Sequence, residues 1–575
     1  MQKENSQDLN ILRHSASHIL AQAVKRLFPQ AKLGIGPSIK DGFYYDFDID
    51  GELLSQNLPR IEEGMREIVK ENLPFKKEKV SKSEAEYIFK GREEPYKLEL
   101  LKEIEDDVVT LYSQGDFVDL CRGPHIENTG KVKFFTLLSV AGAYWKGKEG
   151  NPMLSRIYGT AFFTQDAVKQ HLIILEEAKK RDHRRIGKDM HLFTISAQMG
   201  AGLAICYPRG AMLREILESF EKEEHLKRGY QLVWTPHISR SHLWEKSGHL
   251  DFYRENMYLF SVGKEEYVIK PMNCPGHILI YKSKIRSYRN LPIRFFELGT
   301  VYRREESGVL HGLLRLRGFT QDDAHIFCMP SQVVEEVRGV ISFVLFMMNI
   351  FKLGYRVTLS TRPAKYIGSL ASWDKATEAL RNALREENLN FEVALGEGAF
   401  YGPKIDIQME DALGRLWQGA TIQVDFNLPE RFNLTYVDSN GEKKQVVMIH
   451  RVVLGTIERF LGVLIEHLGG NFPLWLSPIQ VRVLTVTEKE ASYAQDICQQ
   501  MRTEGIRAEV DVRNEMLGYK VRETELDRIP YMVILGKEEA KKKVLTVREK
   551  KGNNLKNVIL EDFLQMLKDK VKQRE

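Results

Sequence analysis

Residues 297–327 have the sequence ELGTVYRREESGVLHGLLRLRGFTQDDAHIF, and this stretch decides both the fold and the site. It predicts a strand, a tight loop at Glu306-Ser307-Gly308 and a second strand. A plain hairpin alternates apolar and polar residues and leaves its charges in water. Here the positions expected to face inward carry arginines, carboxylates and a histidine, namely Arg303, Glu305, Arg315, Arg317, Gln321, Asp322, Asp323 and His325. Arginine on a rigid element binds phosphate bidentately, and Phe319 offers a flat face to a base, so the stretch predicts a site for an ATP-like nucleotide.

The same residues carry a family resemblance. The pattern R-x-E…HG…R-x-R-G-F-T-Q-D-D-A-H is similar to motif 2 of the class II aminoacyl-tRNA synthetases. Its exact residues resemble motif 2 of the threonyl-tRNA synthetases. The resemblance runs from about Leu12 almost to the C-terminus. It implies a multidomain α+β and α/β protein, with an N-terminal α+β editing domain (residues 1–165) and a linker helix (166–185). A class II catalytic core built on an antiparallel sheet (186–475) and a C-terminal α/β anticodon-binding domain (476–575) would follow.

Composition sets the limits on the class of protein. A chain of 575 residues is long enough for about three or four domains, at roughly 100–200 residues each. No apolar run reaches the length of a membrane span, and the polar N-terminus lacks the apolar core of a secretion signal, so we expect a cytoplasmic protein without a membrane partner. The five cysteines include no C-x-x-C pair, which favours a reducing compartment. A net charge of +5 permits an RNA partner without requiring one, and no DNA partner is expected.

The chain pattern agrees with several domains. A helix is predicted for residues 11–28, a long charged helix for 166–185 and a helix for 451–468. Strands alternating with helices after Pro478 predict a small α/β domain. Between these regions, strands with helices on one side predict a mostly antiparallel sheet.

ATP would not be held by a P-loop, because the sequence contains no G-x-x-x-x-G-K-[ST]. Residues 79–83, KVSKS, nearly match the KMSKS loop of class I synthetases. Class I enzymes need a Rossmann domain and a HIGH-type motif well upstream, and neither feature is found among the 78 residues that precede this segment. We interpret this segment as a solvated basic loop.

The class II resemblance implies an ATP role for residues from three separate segments. Arg303 would hold the α-phosphate, where charge builds as the amino-acid carboxylate attacks. Glu305 and Arg315 would position adenine and phosphates, and Phe319 would stack on the base. The segment GTIERF (455–460) resembles motif 3, whose Arg459 would grip the γ-phosphate. Arg303, Glu305 and Arg459 are thus the expected catalytic residues, with Mg²⁺ accompanying the ATP; a surface ion pair is the plainer interpretation of any one arginine alone.

A metal site is implied only by the resemblance. Cys274, His325 and His450 are far apart in sequence, and each alone is better explained as a packed core residue. In threonyl-tRNA synthetases a cysteine and two histidines at these places bind one Zn²⁺, and three protein ligands leave an open position for a substrate. The metal would take the amino group and hydroxyl of threonine. The remaining threonine-binding residues would be Asp323, which holds the amine, and Met272, Gln321, Tyr401 and Gln423.

This arrangement rejects valine but not serine. A site built to bind a hydroxyl rejects an analogue that lacks one by roughly 10⁴–10⁵, whereas a missing methyl is worth about 1–3 kcal/mol. Serine therefore requires a separate hydrolytic site.

The N-terminal region offers such a site. His14 and His18 are spaced i, i+4 on a predicted helix and project from one face, and Cys121 and His125 form a second pair. This spacing favours zinc. The family instead uses the quartet to position water and the 3′-terminal adenosine, so its metal content stays open. We expect these four residues, with Lys97 and Asp119, to hydrolyse Ser-tRNA.

Contacts to tRNA and to a second subunit complete the expectations from the family. The anticodon would be read by Asn514, Arg528, Glu539 and Arg548, with phosphate contacts from the lysines at 541–543. The segment around 207–236 resembles motif 1, which implies a homodimer. Bacterial members usually begin with a TGS domain, which we do not find in this sequence. The competing interpretations are a sister class II enzyme for another small amino acid and a non-catalytic RNA-binding paralogue.

Overall fold

The structure is a computed structural model that describes residues 6–49, 55–148, 150–550 and 552–574. The chain forms two compact units, one within residues 1–176 and the other within residues 177–575. No described helix has the length and apolar character needed to cross a membrane.

The first unit is an α+β structure. Its helices are α1 (Ser6–Leu27), α2 (Leu58–Glu71), α3 (Lys82–Gly91), α4 (Pro95–Glu103) and α5 (Gln165–Arg181), the last of which continues into the second unit. Its strands are β1 (Lys32–Leu33), β2 (Ser38–Ile39), β3 (Gly42–Asp48), β4 (Lys76–Ser81), β5 (Val108–Gln114), β6 (Phe117–Leu120), β7 (Phe134–Tyr144) and β8 (Met153–Phe162). One antiparallel sheet has the order β1-β3-β8-β7 with β2 on β3, and another has the order β4-β5-β6. Helix α1 packs its apolar stripe against the first sheet, so its residues 14 and 18 are fixed by a buried core.

The larger part of the second unit surrounds one broad sheet. Its helices are α6 (His183–Asp189), α7 (Pro208–Lys227), α8 (Ser241–Ser247), α9 (His249–Phe252), α10 (Cys274–Lys282), α11 (Val333–Phe351), α12 (Leu370–Glu386), α13 (Asn427–Arg431) and α14 (Ile457–Leu468). Its strands are β9 (Phe193–Ile195), β10 (Ala204–Cys206), β11 (Gln231–Leu232), β12 (Ile238–Arg240), β13 (Tyr258–Val262), β14 (Glu265–Ile269), β15 (Ile293–Tyr302), β16 (Gly318–Cys328), β17 (Gly354–Ser360), β18 (Phe391–Ala394), β19 (Lys404–Glu410), β20 (Leu416–Asp425), β21 (Thr435–Val437), β22 (Lys443–Gln445) and β23 (Val447–Val452).

The broad sheet has the order β11-β15-β16-β23-β20-β19-β17-β18. Only its outermost pairs, β11 with β15 and β17 with β18, are parallel among the described strands. Helices α11, α12 and α14 cover one face with a continuous apolar core. The mostly antiparallel sheet with helices on one side is therefore as predicted, and the opposite face is left for polar side chains.

The C-terminal part of this unit alternates strands and helices, as predicted. It contains β24 (Val481–Thr485), α15 (Ala491–Thr503), β25 (Ala508–Asp511), α16 (Leu517–Leu526), β26 (Tyr531–Leu535), α17 (Lys537–Lys542), β27 (Leu545–Glu549), β28 (Asn554–Val558) and α18 (Leu560–Lys572). The sheet order is β25-β24-β26-β27-β28, parallel at its first two pairings and antiparallel at the last two.

The hairpin predicted at residues 297–327 is correct in its strands and wrong in its loop. Strands β15 and β16 pair in register, but residues 303–317 form a long connection rather than a tight turn at residues 306–308. Arg303, Glu305, Arg315 and Arg317 lie in this connection. Asp322 also differs from the prediction. Since strand residues alternate between faces, Asp322 lies opposite Asp323 and accepts backbone N–H groups at 2.7–2.9 Å from residues 453–455.

Two predicted helices have different bounds. Residues 166–185 form two helices, because Asp182 caps the start of α6 by accepting the Arg184 N–H at 2.8 Å. The helix predicted from residue 451 begins at Ile457 instead. Gly455 has φ +96°, and the Thr456 hydroxyl accepts the Arg459 N–H, so the chain turns from strand into helix at this point.

Gly210 should be essential for the packing of α7. A Cβ at this position would lie 1.9 Å from the backbone oxygen of Leu192, whereas a Cβ on Gly339 in α11 would meet no atom within 4 Å. Gly210→Ala should lower the free energy of unfolding by about 1–3 kcal/mol or more. Gly339→Ala should raise it by about 0.5–1 kcal/mol, because alanine favours a helix. Urea unfolding of both variants checks this; equal effects would show that the contact between α7 and Leu192 is not tight.

Candidate active site

A cavity of about 530 Å³ opens on the polar face of the broad sheet. All ten residues predicted to bind ATP or threonine line it: Met272, Arg303, Glu305, Arg315, Phe319, Gln321, Asp323, Tyr401, Gln423 and Arg459. His325 and His450 also line it. Arg317 instead donates to the backbone oxygen of Glu305 at 2.9 Å and supports the loop.

Three adjacent strands place the central polar side chains. Along β16, Gln321, Asp323 and His325 share the face opposite the apolar core, because successive strand residues alternate. His325 pairs directly with His450 on β23, and His450 pairs with Gln423 on β20. Directly paired residues have Cβ atoms about 4.5–5.5 Å apart, so the register itself brings these side chains together.

Arginines make one wall of the cavity strongly positive. Arg303 lies over the Phe319 ring, 5.2 Å from its centroid, and Arg315 binds Glu305 through two nitrogens at 2.8 and 3.0 Å. Arg459 donates from Nε to the backbone oxygen of Leu314 at 3.0 Å. Burial, followed by the charges of Arg303 and Arg315, lowers the pKa of Arg459. An anion in the cavity would relieve this repulsion.

Cys274, His325 and His450 converge on one point, and the two histidines line the cavity. All three are buried, and their ligand atoms lie within 4.8 Å of one another. His325 Nε2 and His450 Nδ1 are 3.0 Å apart. Around a tetrahedral zinc with Zn–N of about 2.0–2.1 Å and Zn–S of about 2.3 Å, ligand atoms lie about 3.3–3.8 Å apart. The donor set and its spacing therefore fit zinc with small adjustments.

Buried partners orient both histidines. His450 Nε2 lies 2.9 Å from Asp425 Oδ2, and His325 Nδ1 lies 2.8 Å from His277 Nδ1. His277 in turn contacts Glu297 at 3.1 Å. Ligand histidines in metal sites almost always have such a partner on their second nitrogen. Burial, and next the charges of Asp323 and Asp425, raises the pKa of the Cys274 thiol well above its usual value, so a cation is needed to stabilise the thiolate.

The motifs did not single out these partners. His277 follows Cys274 by three residues on α10 and so shares its helical face, a signal that the sequence contained. Asp425 likewise lies two residues after Gln423 on β20. His249 is a further buried imidazole beside Cys274 (Nε2 to Sγ, 4.0 Å) that the sequence analysis missed.

The groups expected to hold threonine are already fixed by neighbours. Asp323 accepts a hydrogen bond from Asn273 Nδ2 at 3.0 Å, and burial raises the pKa of its carboxyl. The Tyr401 hydroxyl donates to Gln423 Oε1 at 2.5 Å. These contacts hold a carboxylate and an amide beside the three metal-ligand candidates.

The first unit brings together the quartet predicted there. His14, His18, Cys121 and His125 have ligand atoms within 4.8 Å of one another. Cys121 Sγ lies 3.3 Å from both His14 Nε2 and His125 Nε2. Burial raises the pKa of Cys121 to about 11 and lowers those of all three histidines, so the four groups are neutral near pH 7.

A buried ion pair adjoins the quartet. Asp119 lies 2.5 Å from Lys97 Nζ and 3.6 Å from His18 Nε2. The Tyr45 hydroxyl donates to Asp119 at 2.6 Å and accepts from Lys97 at 3.0 Å. No sequence motif pointed to Tyr45, whose hydroxyl joins this polar network only in the folded chain.

Three of the four residues predicted to read the anticodon contact other residues of the chain. Asn514 is exposed, Glu539 caps α17 by accepting the Gly536 N–H at 3.0 Å, and Arg548 pairs with Glu525 at 2.7 Å. Arg528 instead points at the backbone oxygen of Gly469, after the end of α14. Residues 79–83, predicted as a basic loop, end strand β4 and begin α3, where Ser81 caps the helix.

Comparison with known proteins identifies the class. Residues 258–468 match the class II tRNA synthetase core domain for G, H, P, S and T. Residues 480–570 match an anticodon-binding domain, and residues 109–158 match the second additional domain of threonyl and alanyl tRNA synthetases. The broad sheet, its cavity and these matches define a class II aminoacyl-tRNA synthetase, and the predicted fold class is confirmed.

Whole-chain relatives identify the family. A threonine–tRNA ligase of Citrifermentans bemidjiense is 54% identical over 99% of this chain and 90% of its own length. The ligase of Dehalococcoides mccartyi is 52% identical over 98% of this chain and 97% of its own. The chain belongs to the threonine–tRNA ligase family.

Two solved structures of threonyl-tRNA synthetases are also similar to this chain. The RNA-binding domain of threonyl-tRNA synthetase from Cryptosporidium parvum is 39% identical, with a TM-score of 0.66 over 68% of this chain and 98% of that one. A threonyl-tRNA synthetase described as ThrRS-1 from Aeropyrum pernix is 34% identical, with a TM-score of 0.60 over 69% of this chain and 96% of that one. The prediction of an aminoacyl-tRNA synthetase of this family is confirmed.

Proposed function

We propose that the chain joins threonine to ATP, giving threonyl-adenylate and pyrophosphate, and then transfers the threonyl group to the 3′-terminal ribose of tRNA(Thr). It also hydrolyses mischarged Ser-tRNA(Thr). The observation that carries this proposal is the single cavity shared by the ten predicted ATP and threonine residues and two of the three metal-ligand candidates. A non-catalytic paralogue would have no reason to keep three arginines together on one wall of a cavity.

ATP binding is assigned to the positive wall. Arg303, over the Phe319 ring, would hold the α-phosphate while the base stacks on Phe319. Arg459 would bind the γ-phosphate, and the Arg315–Glu305 pair would position the adenine and the phosphates. Fixed cations stabilise charge that develops on the α-phosphate when the threonine carboxylate attacks. Mg²⁺ would accompany ATP by binding its phosphate oxygens.

Threonine recognition is assigned to Cys274, His325 and His450 with their neighbours. These three residues would hold one zinc ion, which could take the amino group and hydroxyl of threonine as further ligands because catalytic zinc can expand from four to five ligands. Asp323 would bind the ammonium group, and Met272, Gln321, Tyr401 and Gln423 would close the pocket. Asp425 and His277 keep the two imidazoles in the orientation required of ligands.

Hydrolysis of Ser-tRNA is assigned to the quartet of the first unit. Its neutral imidazoles can accept hydrogen bonds from water and so position it, and the Lys97–Asp119 pair supplies charge beside them. The quartet could fill this role either with a bound zinc ion or by positioning water without a metal.

The remaining assignments concern tRNA, assembly and domain limits. Asn514, Glu539 and Arg548 would read the anticodon, while Arg528 would have to release Gly469 to join them. A homodimer through α7 and the following segment is supported by Trp234 and Leu232, whose side chains are 73% and 52% exposed. The domains would be residues 1–165, 186–475 and 476–575, with the linker at 166–185.

Removal of the thiol ligand should abolish zinc binding. In Cys274→Ala we expect zinc per chain to fall on the order of tenfold or more, together with threonine-dependent ATP–pyrophosphate exchange, because two imidazoles alone bind zinc weakly. Cys328→Ala is the matched control, since Cys328 is equally buried on β16 but faces the apolar core. Metal analysis and exchange rates check this. Full zinc content in Cys274→Ala would refute the ligand assignment.

Disruption of the quartet should increase the amount of tRNA(Thr) that carries serine. Cys121→Ala should raise the steady-state level of Ser-tRNA(Thr) while leaving threonine activation unchanged, because the two reactions use different sites. His171→Gln provides a control in the same unit, since His171 packs on Phe162 outside the quartet. Aminoacylation with radiolabelled serine measures the effect. Equal serine mischarging by Cys121→Ala and the control would count against the hydrolytic role.

A further inference from the structure

His183, the first residue of α6, is a fully buried imidazole that the reaction outlined above does not use. Its Nε2 accepts the backbone N–H of Leu313 at 3.0 Å, and its Nδ1 lies 2.6 Å from Glu466 Oε1. Because Nε2 accepts a hydrogen bond, the proton of the ring is on Nδ1 and is donated to Glu466. The ring therefore joins helix α14 to the loop at residues 303–317 by two directed hydrogen bonds.

The same loop and the same helix meet a second time. Glu466 and Arg459 are seven residues apart on α14, so they lie on the same side of the helix two turns from each other. Arg459 Nε donates to the backbone oxygen of Leu314, the residue after Leu313, at 3.0 Å. A series of hydrogen bonds thus links Glu466 to His183, His183 to residues 313–314 of the loop, and this loop to Arg459.

Two glycines allow this close approach. A Cβ on Gly312, whose φ is +48°, would lie 2.1 Å from His183 Nε2. A Cβ on Gly462, between Arg459 and Glu466 on α14, would lie 3.0 Å from Leu314 Cδ2 and 3.3 Å from Leu313 Cβ. The loop is therefore seated against both the imidazole and the helix, with no space for a side chain at Gly312 and only a tight fit for a methyl group at Gly462.

Glu466, at the other end of this series of hydrogen bonds, is held as an anion. Burial acts to raise the pKa of its carboxyl, but hydrogen bonds from the His183 ring and backbone, and the charge of Arg415, lower it overall. An ionised carboxylate accepts hydrogen bonds and cannot donate one, so it fixes the tautomer that carries its proton on Nδ1 and in which Nε2 accepts from Leu313. At the cavity end, Arg459 faces the like charges of Arg303 and Arg315, so its direction depends on the Leu314 carbonyl.

We propose that His183 is a positioning residue for ATP: it holds Leu313 and Leu314 so that the Leu314 carbonyl directs the Arg459 guanidinium into the cavity. This inference rests on the proposed role of Arg459 as a phosphate ligand. The side chains assigned to threonine lie on the sheet strands or the segments beside them and not in this loop. His183 therefore acts on ATP and leaves threonine binding unchanged.

Two substitutions separate the two hydrogen bonds of His183. Asparagine keeps a donor toward Glu466 but is too short to accept from Leu313, whereas glutamine carries an oxygen close to the Nε2 position. In threonine-dependent ATP–pyrophosphate exchange, His183→Asn should lower kcat/KM for ATP by about 10- to 100-fold, as expected when a binding group moves by about 1 Å. KM for threonine should not change, and His183→Gln should recover most of the loss. His311→Gln is the matched control, because His311 packs edge-on against the His183 ring from the same loop.

A double-mutant cycle with Arg459→Ala decides whether His183 acts through Arg459. If it does, adding His183→Asn to Arg459→Ala causes no further loss in kcat/KM for ATP. Losses that multiply, or an equal rise in KM for threonine, would overturn the positioning role while leaving the ATP role of Arg459 intact. Unchanged ATP kinetics in Arg459→Ala alone would instead refute the proposed function of Arg459 and the inference with it. Should His183→Asn fail to fold, Gly312→Ala displaces the loop from the ring and enters the same cycle.

Discussion

The register of three antiparallel strands is the constraint on which the site depends. His325, His450 and Gln423 are successive cross-strand partners on β16, β23 and β20, so they point to the same face at neighbouring positions. A slip of one residue in either pairing would turn a histidine into the apolar core. The packing of Ala324, Ile326 and Ile449 beneath α11 and α14 opposes such a slip, because these residues must stay on the helix side. Burial of the core thus fixes the geometry of the polar face.

The two histidine and cysteine clusters differ in the charges around them. In the broad sheet, His450 is backed by Asp425 at 2.9 Å. This carboxylate also accepts the backbone N–H groups of residues 427 and 428, but among the described residues it forms no ion pair with a lysine or arginine. In the first unit, Asp119 is 3.6 Å from His18 and is already neutralised by Lys97 at 2.5 Å. A divalent cation would therefore gain more from the first arrangement than from the second. This contrast agrees with assigning a metal to the catalytic cavity and water positioning to the quartet.

The sequence motifs predicted which residues line the site better than they predicted the backbone conformation around it. Arg303, Arg459 and Asp323 lie in segments whose sequences closely match family motifs, and all three line the cavity. The connection at residues 303–317 was predicted as a tight turn because Ser307-Gly308 suits one, whereas its real path is set by contacts far away in sequence, with His183 and with Gly202. Local propensity carries no information on such contacts. Asp425, His277 and Tyr45 act through neighbours that only the folded chain brings close, so spacing alone could indicate their face but not their role.

We propose that one thiolate and two imidazoles bind a zinc ion that contacts the hydroxyl of the bound amino acid. X-ray absorption at the zinc edge of the purified protein tests it most directly. We expect one sulfur and two imidazole nitrogens around the zinc, and we expect its remaining light-atom ligands to change when threonine is added but not when valine is added. A zinc-free protein that still activates threonine, or a zinc spectrum that threonine leaves unchanged, would contradict it.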